Sequence, residues 1–309
     1  MTHWAGLGMN YGHQAPHNPY NTAQVAADLA FLKSVGIVKL RIAYTTFDAA
    51  SVTSLQSLVQ TALAAGFYVV WGTTAGGSSP VTATRWASFK NYVLTTLAPW
   101  AQAQSTTNLE LAIGNEEELH CDGTTLTVAT VISDLAQLAA SVKTVYTIGQ
   151  VSYQSPITFL NNWVANGLGG LDRIGFNAYS VVAAGLKNYA TNVVTNFAGK
   201  GYLSEWGTPT GFNDFGNEQA FATVIKNQII MLQTIGIDAY YFCYRDGSFG
   251  LPTNAWAIKM ADDNFRLVAP KLFGVRPWFK DNPNVSVSRG TQRPRAPTRL
   301  RATTPHRSI

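Results

Sequence analysis

Eight times along roughly the first 275 residues, a short apolar run gives way to a longer stretch with helical spacing. The first helical stretch opens after Asn21, keeps Val25, Leu29 and Leu32 on one face, and meets Gly36. Later runs predict strand four over Leu109–Asn115, strand five over Val145–Ser152, strand six over Arg173–Tyr179 and strand seven over Tyr202–Trp206. A helix over Thr82–Leu97 is predicted between strands three and four. Strands joined by helices must lie parallel, because each helix carries the chain back to the starting edge of the sheet. Eight such units in this length predict a single (β/α)8 TIM barrel. An open doubly wound sheet would place a glycine-rich phosphate turn after strand one. Here Gly6-Leu7-Gly8 lies inside the strand, and Asn10-Tyr11-Gly12-His13 follows it.

Charge placement separates the barrel, residues 1–275, from a tail, residues 276–309. Residues 1–270 hold 13 Lys and Arg against 16 Asp and Glu, whereas residues 271–309 hold nine basic groups against Asp281 alone. The overall charge of +5 therefore belongs to a Pro- and Arg-rich extension, expected to be disordered or added to the natural chain, and the body offers nothing for nucleic acid. No run of apolar residues is long enough to cross a membrane. Two cysteines outside any CxxC spacing, and a His13/His17 pair split by Pro16, give no metal site. Thr2-His3-Trp4 leads almost directly into folded sequence, so no export signal is expected and the compartment stays open.

In a barrel of this kind the loops after the strands converge over one cavity, so polar residues at strand ends carry the functional information. Strand two ends in Leu40-Arg41-Ile42, strand four in Gly114-Asn115-Glu116, strand six in Asn177-Ala178-Tyr179, and strand seven in Ser204-Glu205-Trp206-Gly207. Alternation turns Leu109, Leu111 and Ile113 toward the helices and Glu110, Ala112, Gly114 and Glu116 toward the lumen. In strand six Arg173, Gly175, Asn177 and Tyr179 face inward. Arg41, Glu116 and Tyr179 then meet at the top, while Lys39, Glu110 and Arg173 form a lower ion layer. Asn115 has the wrong parity and reaches the lumen only if strand four bends or bulges. Of the three consecutive acids, alternation admits Glu116 or Glu118, and closeness to the strand favours Glu116.

Two carboxylates on strands four and seven have one well-defined use. At about 5 Å separation one attacks an anomeric carbon while the other, protonated, donates to the departing oxygen; a gap of about 7–9 Å admits a water and inverts configuration. Arg41 and the Tyr179 hydroxyl suit the task of keeping a nucleophile ionised. These strand ends resemble the clan A retaining glycoside hydrolases, which carry an Asn-Glu acid/base on strand four and a Glu nucleophile on strand seven. By that resemblance Glu116 is the proton donor and later base and Glu205 the nucleophile. Arg41 and Tyr179 support Glu205, and no cofactor is needed. Asn177-Ala178-Tyr179 departs from the His-x-Tyr of family 5, and the chain is as similar to family 17.

Pyranose faces stack on aromatic rings, which makes Trp71 and Trp206 the expected platforms, with His120 and Tyr244 as further substrate contacts beside Asn115. The expectation is an enzyme of the retaining type, monomeric, cutting a β-linked oligo- or polysaccharide, with an endo-acting β-glucanase favoured. Its function class favours an extracellular setting. The rivals are an exo-acting β-glycosidase or β-mannanase of the same clan and a barrel that binds carbohydrate without cutting it.

Overall fold

The computed structural model describes residues 6–11, 22–42, 44–76, 80–209, 215 and 218–242. Eight strands close into one parallel barrel in chain order: β1 (Gly8–Tyr11), β2 (Lys39–Ile42), β3 (Tyr68–Gly72), β4 (Leu109–Asn115), β5 (Gln150–Pro156), β6 (Arg173–Tyr179), β7 (Gly201–Gly207) and β8 (Ala239–Tyr241), with β1 pairing to β8. The helices between them are α1 (Thr22–Ser34), α2 (Val52–Ala64), α3 (Ala83–Tyr92), α4 (Ala98–Ala103), α5 (Val128–Val142), α6 (Leu160–Asn166), α7 (Ala183–Asn196) and α8 (Glu218–Ile235). The single (β/α)8 barrel read from the alternation is the observed architecture. The proposed boundary at 275/276, the basic tail and the closing helix expected near 262–272 lie outside the described residues.

Each helix forms for a local reason and is held by one apolar stripe. In α2 the residues Leu55, Leu58, Val59 and Ala62, spaced three and four apart, are buried against the sheet, and Gly66 ends the turn at φ +77°, which an L side chain rarely adopts. Thr127 caps α5 by accepting a hydrogen bond from the Thr130 amide, and Thr82 does the same for α3 through Arg85. Leu109, Leu111, Ile113, Ile174, Phe176 and Ala178 face this helix layer and belong to one continuous core, as alternation requires. Among the described residues no helix is long and apolar enough to cross a membrane.

Two elements depart from the sequence expectation. Strand five runs over Gln150–Pro156, later than the predicted Val145–Ser152. The apolar Val145 and Tyr146 instead close the turn after α5, both amides bonding to Val142 O, and Tyr146 Oη donates to Leu109 O at 2.5 Å. The helix expected to end at Leu97 continues past a π-helical turn, Val93–Leu97, into α4. Pro99 there occupies the first positions, where its missing N–H costs least.

The lumen is stacked in three levels. At the bottom Lys39 Nζ and Arg173 Nη2 bind the two oxygens of Asp238, each at 2.7 Å, and Arg173 Nη1 reaches Glu110 Oε2 at 2.6 Å. The expected ion layer of Lys39, Glu110 and Arg173 is there, with Asp238 as its unexpected bridge. Val70, Ala112, Tyr202 and Tyr240 fill the middle. The polar residues of the strand ends occupy the top.

Register carries the decisive detail. Between Ala112 and Asn115, β4 advances three residues while β5 advances only from Ser152 to Gln154. Likewise β7 advances from Tyr202 to Glu205 while β6 advances from Gly175 to Asn177, and β8 shows the same one-residue lag against β7. Each of β4 and β7 therefore holds one extra residue, a β-bulge, just below its terminal glutamate.

Candidate active site

A bulge breaks the period of two, so that consecutive side chains can face the same way. On β4 this brings Asn115 into the lumen alongside Glu116, and on β7 it does the same for Ser204 and Glu205. Asn177 on β6 lies between the pairs. Its Nδ2 donates to Glu116 Oε1 at 2.7 Å and to Asn115 Oδ1 at 3.3 Å, and its Oδ1 accepts from Ser204 Oγ at 2.7 Å.

Arg41, 2% exposed, anchors the centre. Its Nη1 meets Glu205 Oε1 at 2.8 Å and Asn10 Oδ1 at 2.6 Å; Nη2 reaches Asn115 Oδ1 at 2.8 Å and Gln154 Oε1 at 2.6 Å, and Nε also donates to Gln154 Oε1. Such a fork is fixed on several sides, and a lysine could not reproduce it. The Tyr44 ring lies 5.0 Å from the guanidinium, a cation–π distance. The other oxygen of Glu205 accepts a short hydrogen bond from Tyr179 Oη. Burial, followed by the charges of Glu205 and Glu116, pushes the Tyr44 and Tyr179 hydroxyls well above their ordinary range, so both stay donors.

Glu116 differs from Glu205 in every respect. Among the described residues no cation bonds its oxygens, and burial, then the charge of Glu205, raises its pKa to about 7 against the opposing pull of Asn177 and Arg41. Its backbone is left-handed, φ 57° and ψ 29°, and starts a 3-10 turn over Glu117–His120. With about three residues per turn, successive side chains splay in three directions. Glu117, 1% exposed, turns to the loop after β3. There it accepts from Thr74 Oγ1 at 2.6 Å, Ala75 N at 3.0 Å and Gly76 N at 3.1 Å. Glu118, 3% exposed, turns to β5 and α6 and accepts from Tyr153 Oη, Ser155 Oγ and Trp163 Nε1. Of the three acids only Glu116 opens onto the lumen.

The structure thus brings together Arg41, Asn115, Glu116, Tyr179 and Glu205. It does not bring Trp71 or Trp206 to them. Trp71 is 1% exposed and edge-on to Trp100 at 5.0 Å; Trp206 is 0% exposed and edge-on to Tyr241 at 5.0 Å. Both belong to the helix-facing core, so the expectation that they stack on a sugar is corrected: neither offers a free face. Trp86 and Trp163 are core residues, as their helix positions suggest. His120 is half-buried on the rim, its ring against Gly76, where an added Cβ would come within 2.3 Å of it. Tyr244 lies outside the described residues. Asn10, Tyr44, Gln154, Asn177 and Ser204 join the site without having been singled out. Inward parity in strand six marks Asn177 and the strand-seven motif includes Ser204, but no short motif marks the others. Among the described residues no group of three His, Cys, Asp or Glu is placed to hold a metal ion.

This barrel shares its fold with several solved glycoside hydrolases. Against solved structures the chain is similar to an exo-β-1,4-mannosidase from Opitutaceae bacterium strain TAV5, with a TM-score of 0.62 at 15% identity over 88% of this chain and 59% of the mannosidase. It thus spans about three fifths of that protein's length. A GH113 β-1,4-mannanase matches with a TM-score of 0.60 at 15% identity, over 89% of this chain and 100% of its own. A thermostable, halotolerant GH5 cellulase from an Icelandic hot spring isolate matches with a TM-score of 0.58 at 13% identity, over 87% of this chain and 88% of its own. No protein-family model and no curated protein sequence matches the chain.

Proposed function

We propose that the chain is a retaining glycoside hydrolase that cuts a β-linked glycan by double displacement, with Glu205 as nucleophile and Glu116 as proton donor and then base. The observation that carries this reading is the unequal treatment of two carboxyls sharing one lumen. Glu205 is gripped by Arg41 and Tyr179, while Glu116 receives only a neutral amide and keeps its proton up to about pH 7. A proton donor and a nucleophile need this division. Attack by Glu205 on the anomeric carbon forms an ester and breaks the glycosidic bond as Glu116 protonates the leaving oxygen. Glu116, now ionised, takes a proton from water, and the water displaces Glu205 with net retention.

A β-glucan cut internally is the favoured substrate, and β-1,4-mannan stands beside it because two of the similar structures act on that linkage. With Trp71 and Trp206 sealed away, Leu119, Val181 and Val182, exposed after β4 and β6, are candidates among the described residues to meet a sugar face. Hydrolysis of cellulose, laminarin, mixed-linkage glucan, mannan and xylan, with product anomers followed by NMR, tests the reading. A first-formed β-anomer is expected; an α-anomer, or no cleavage with carbohydrate binding intact, sinks it.

A further inference from the structure

Glu116 holds a left-handed backbone that costs a non-glycine residue about 1 kcal/mol, so something must impose it. The Glu116 amide donates to Gln154 O at 2.8 Å and its carbonyl accepts from Leu119 N at 3.0 Å, and a further constraint lies one residue on. The Glu117 amide donates to Tyr153 Oη at 2.8 Å, and that hydroxyl donates in turn to Glu118. Glu118 is itself fixed by Ser155 Oγ at 2.7 Å and Trp163 Nε1 at 2.8 Å, donors on β5 and α6. A buried carboxylate with donors on both oxygens is a rigid anchor, and a phenol polarised by it is a strong acceptor for the amide.

We propose that Glu118 is a positioning residue for Glu116, holding the Glu117 amide through Tyr153 and thereby the left-handed turn that aims the Glu116 carboxyl at Asn177 and the lumen. The inference rests on the reading of Glu116 as proton donor. It also carries an electrostatic signature, because the charge of Glu118 adds to that of Glu205 in raising the proton affinity of Glu116. The groups that face Glu116 are Arg41 from β2, Tyr44 after it, Asn177 and Tyr179 from β6, Glu205 from β7 and Glu118 from its own turn. Those that face Glu118 are Tyr153 and Ser155 from β5, Trp163 from α6, and Glu117 and Cys121 beside it.

Two variants of the full chain test this, Glu118→Gln and Tyr153→Phe. The readouts are turnover on whichever glycan the wild type cleaves and the titration midpoint of Glu116 by carbon-13 carboxyl NMR, its resonance assigned by its loss in Glu116→Gln. Both variants are expected to lose about 10- to 100-fold in kcat with KM nearly unchanged, the size of effect that a small misplacement of a reacting group produces. Glu118→Gln should also lower the Glu116 midpoint by several tenths of a unit, since a negative neighbour is gone, while Tyr153→Phe should move it less. Wild-type turnover in folded Tyr153→Phe overturns the proposal whatever Glu118→Gln does, as does an unmoved midpoint in folded Glu118→Gln. If Glu118→Gln does not fold, Tyr153→Phe decides alone. The NMR midpoint needs no substrate, so undiminished turnover in Glu116→Gln, which would sink the functional reading itself, is told apart from either result.

Discussion

The two ends of the lumen are built from the same kinds of residue and do different things. Below, Lys39 and Arg173 face Glu110 and Asp238, two cations against two acids, every ion paired. Above, among the described residues, Arg41 is the one cation that faces both Glu205 and Glu116, and the guanidinium is given to Glu205. Burial, and after it the charge of Glu205, raises the proton affinity of Glu116, the upper acid that the guanidinium does not grip. The difference lies in an acid buried beside a like charge, and residue type alone would not distinguish the ends.

The strongest way to break that comparison is Glu205→Ala. Turnover should fall about ten-thousand-fold or more with the fold retained, and added azide should restore part of it by filling the vacated place. A barrel that only binds sugar would keep its ligand affinity and show no such loss. Next comes Glu116→Gln, expected to cost about 10²- to 10⁴-fold on natural glycans and much less on dinitrophenyl glycosides, whose leaving group needs no proton. Wild-type kcat/KM should fall above about pH 7, where Glu116 loses its proton.

The lower layer provides the control. Arg173→Met strands Glu110, 0% exposed, and should cost about 3 kcal/mol in chemical denaturation while leaving kcat and KM near wild type. A large loss of kcat in folded Arg173→Met would show that the ends are not separable. The smallest effect sharpens the contrast. Glu116 binds its proton more tightly folded, about 7, than at its ordinary 4.5, so it destabilises the fold progressively as pH rises between those values and by a constant amount above them. Glu116→Gln should therefore be about 1–3 kcal/mol more stable than wild type at pH 8 and no different at pH 4, the usual exchange of stability for function.

How much was legible in the sequence follows from how local each signal is. Strands four and six were readable to the residue because the alternation of apolar and polar side chains is a property of the strand itself. Strand five was not, because Val145 and Tyr146 serve a turn whose need for apolar groups comes from the core beneath it. Alternation also places Trp71 beside Val70, which faces inward, and Trp206 beside Glu205, and so turns both outward; their position at strand ends is the weaker guide. Asn10, Tyr44 and Gln154 reach the site only because Arg41 gathers them across 31, 3 and 113 residues of chain. No pattern along a single sequence encodes such convergence. The bulge that Asn115 requires was deducible as a condition; its twin in β7 needed the register.

Those twin irregularities have an evolutionary corollary. Each is a single surplus residue, so losing the codon of Ser204 would restore strict alternation in β7 and yet leave Tyr202 and Glu205 both facing the lumen, opposite Gly175 and Asn177. Such a descendant would keep its acid in the lumen and lose only the hydroxyl that holds Asn177. One in-frame deletion would thus loosen the network around Glu116 without touching either acid, and a comparison that scores only substitutions would overlook it.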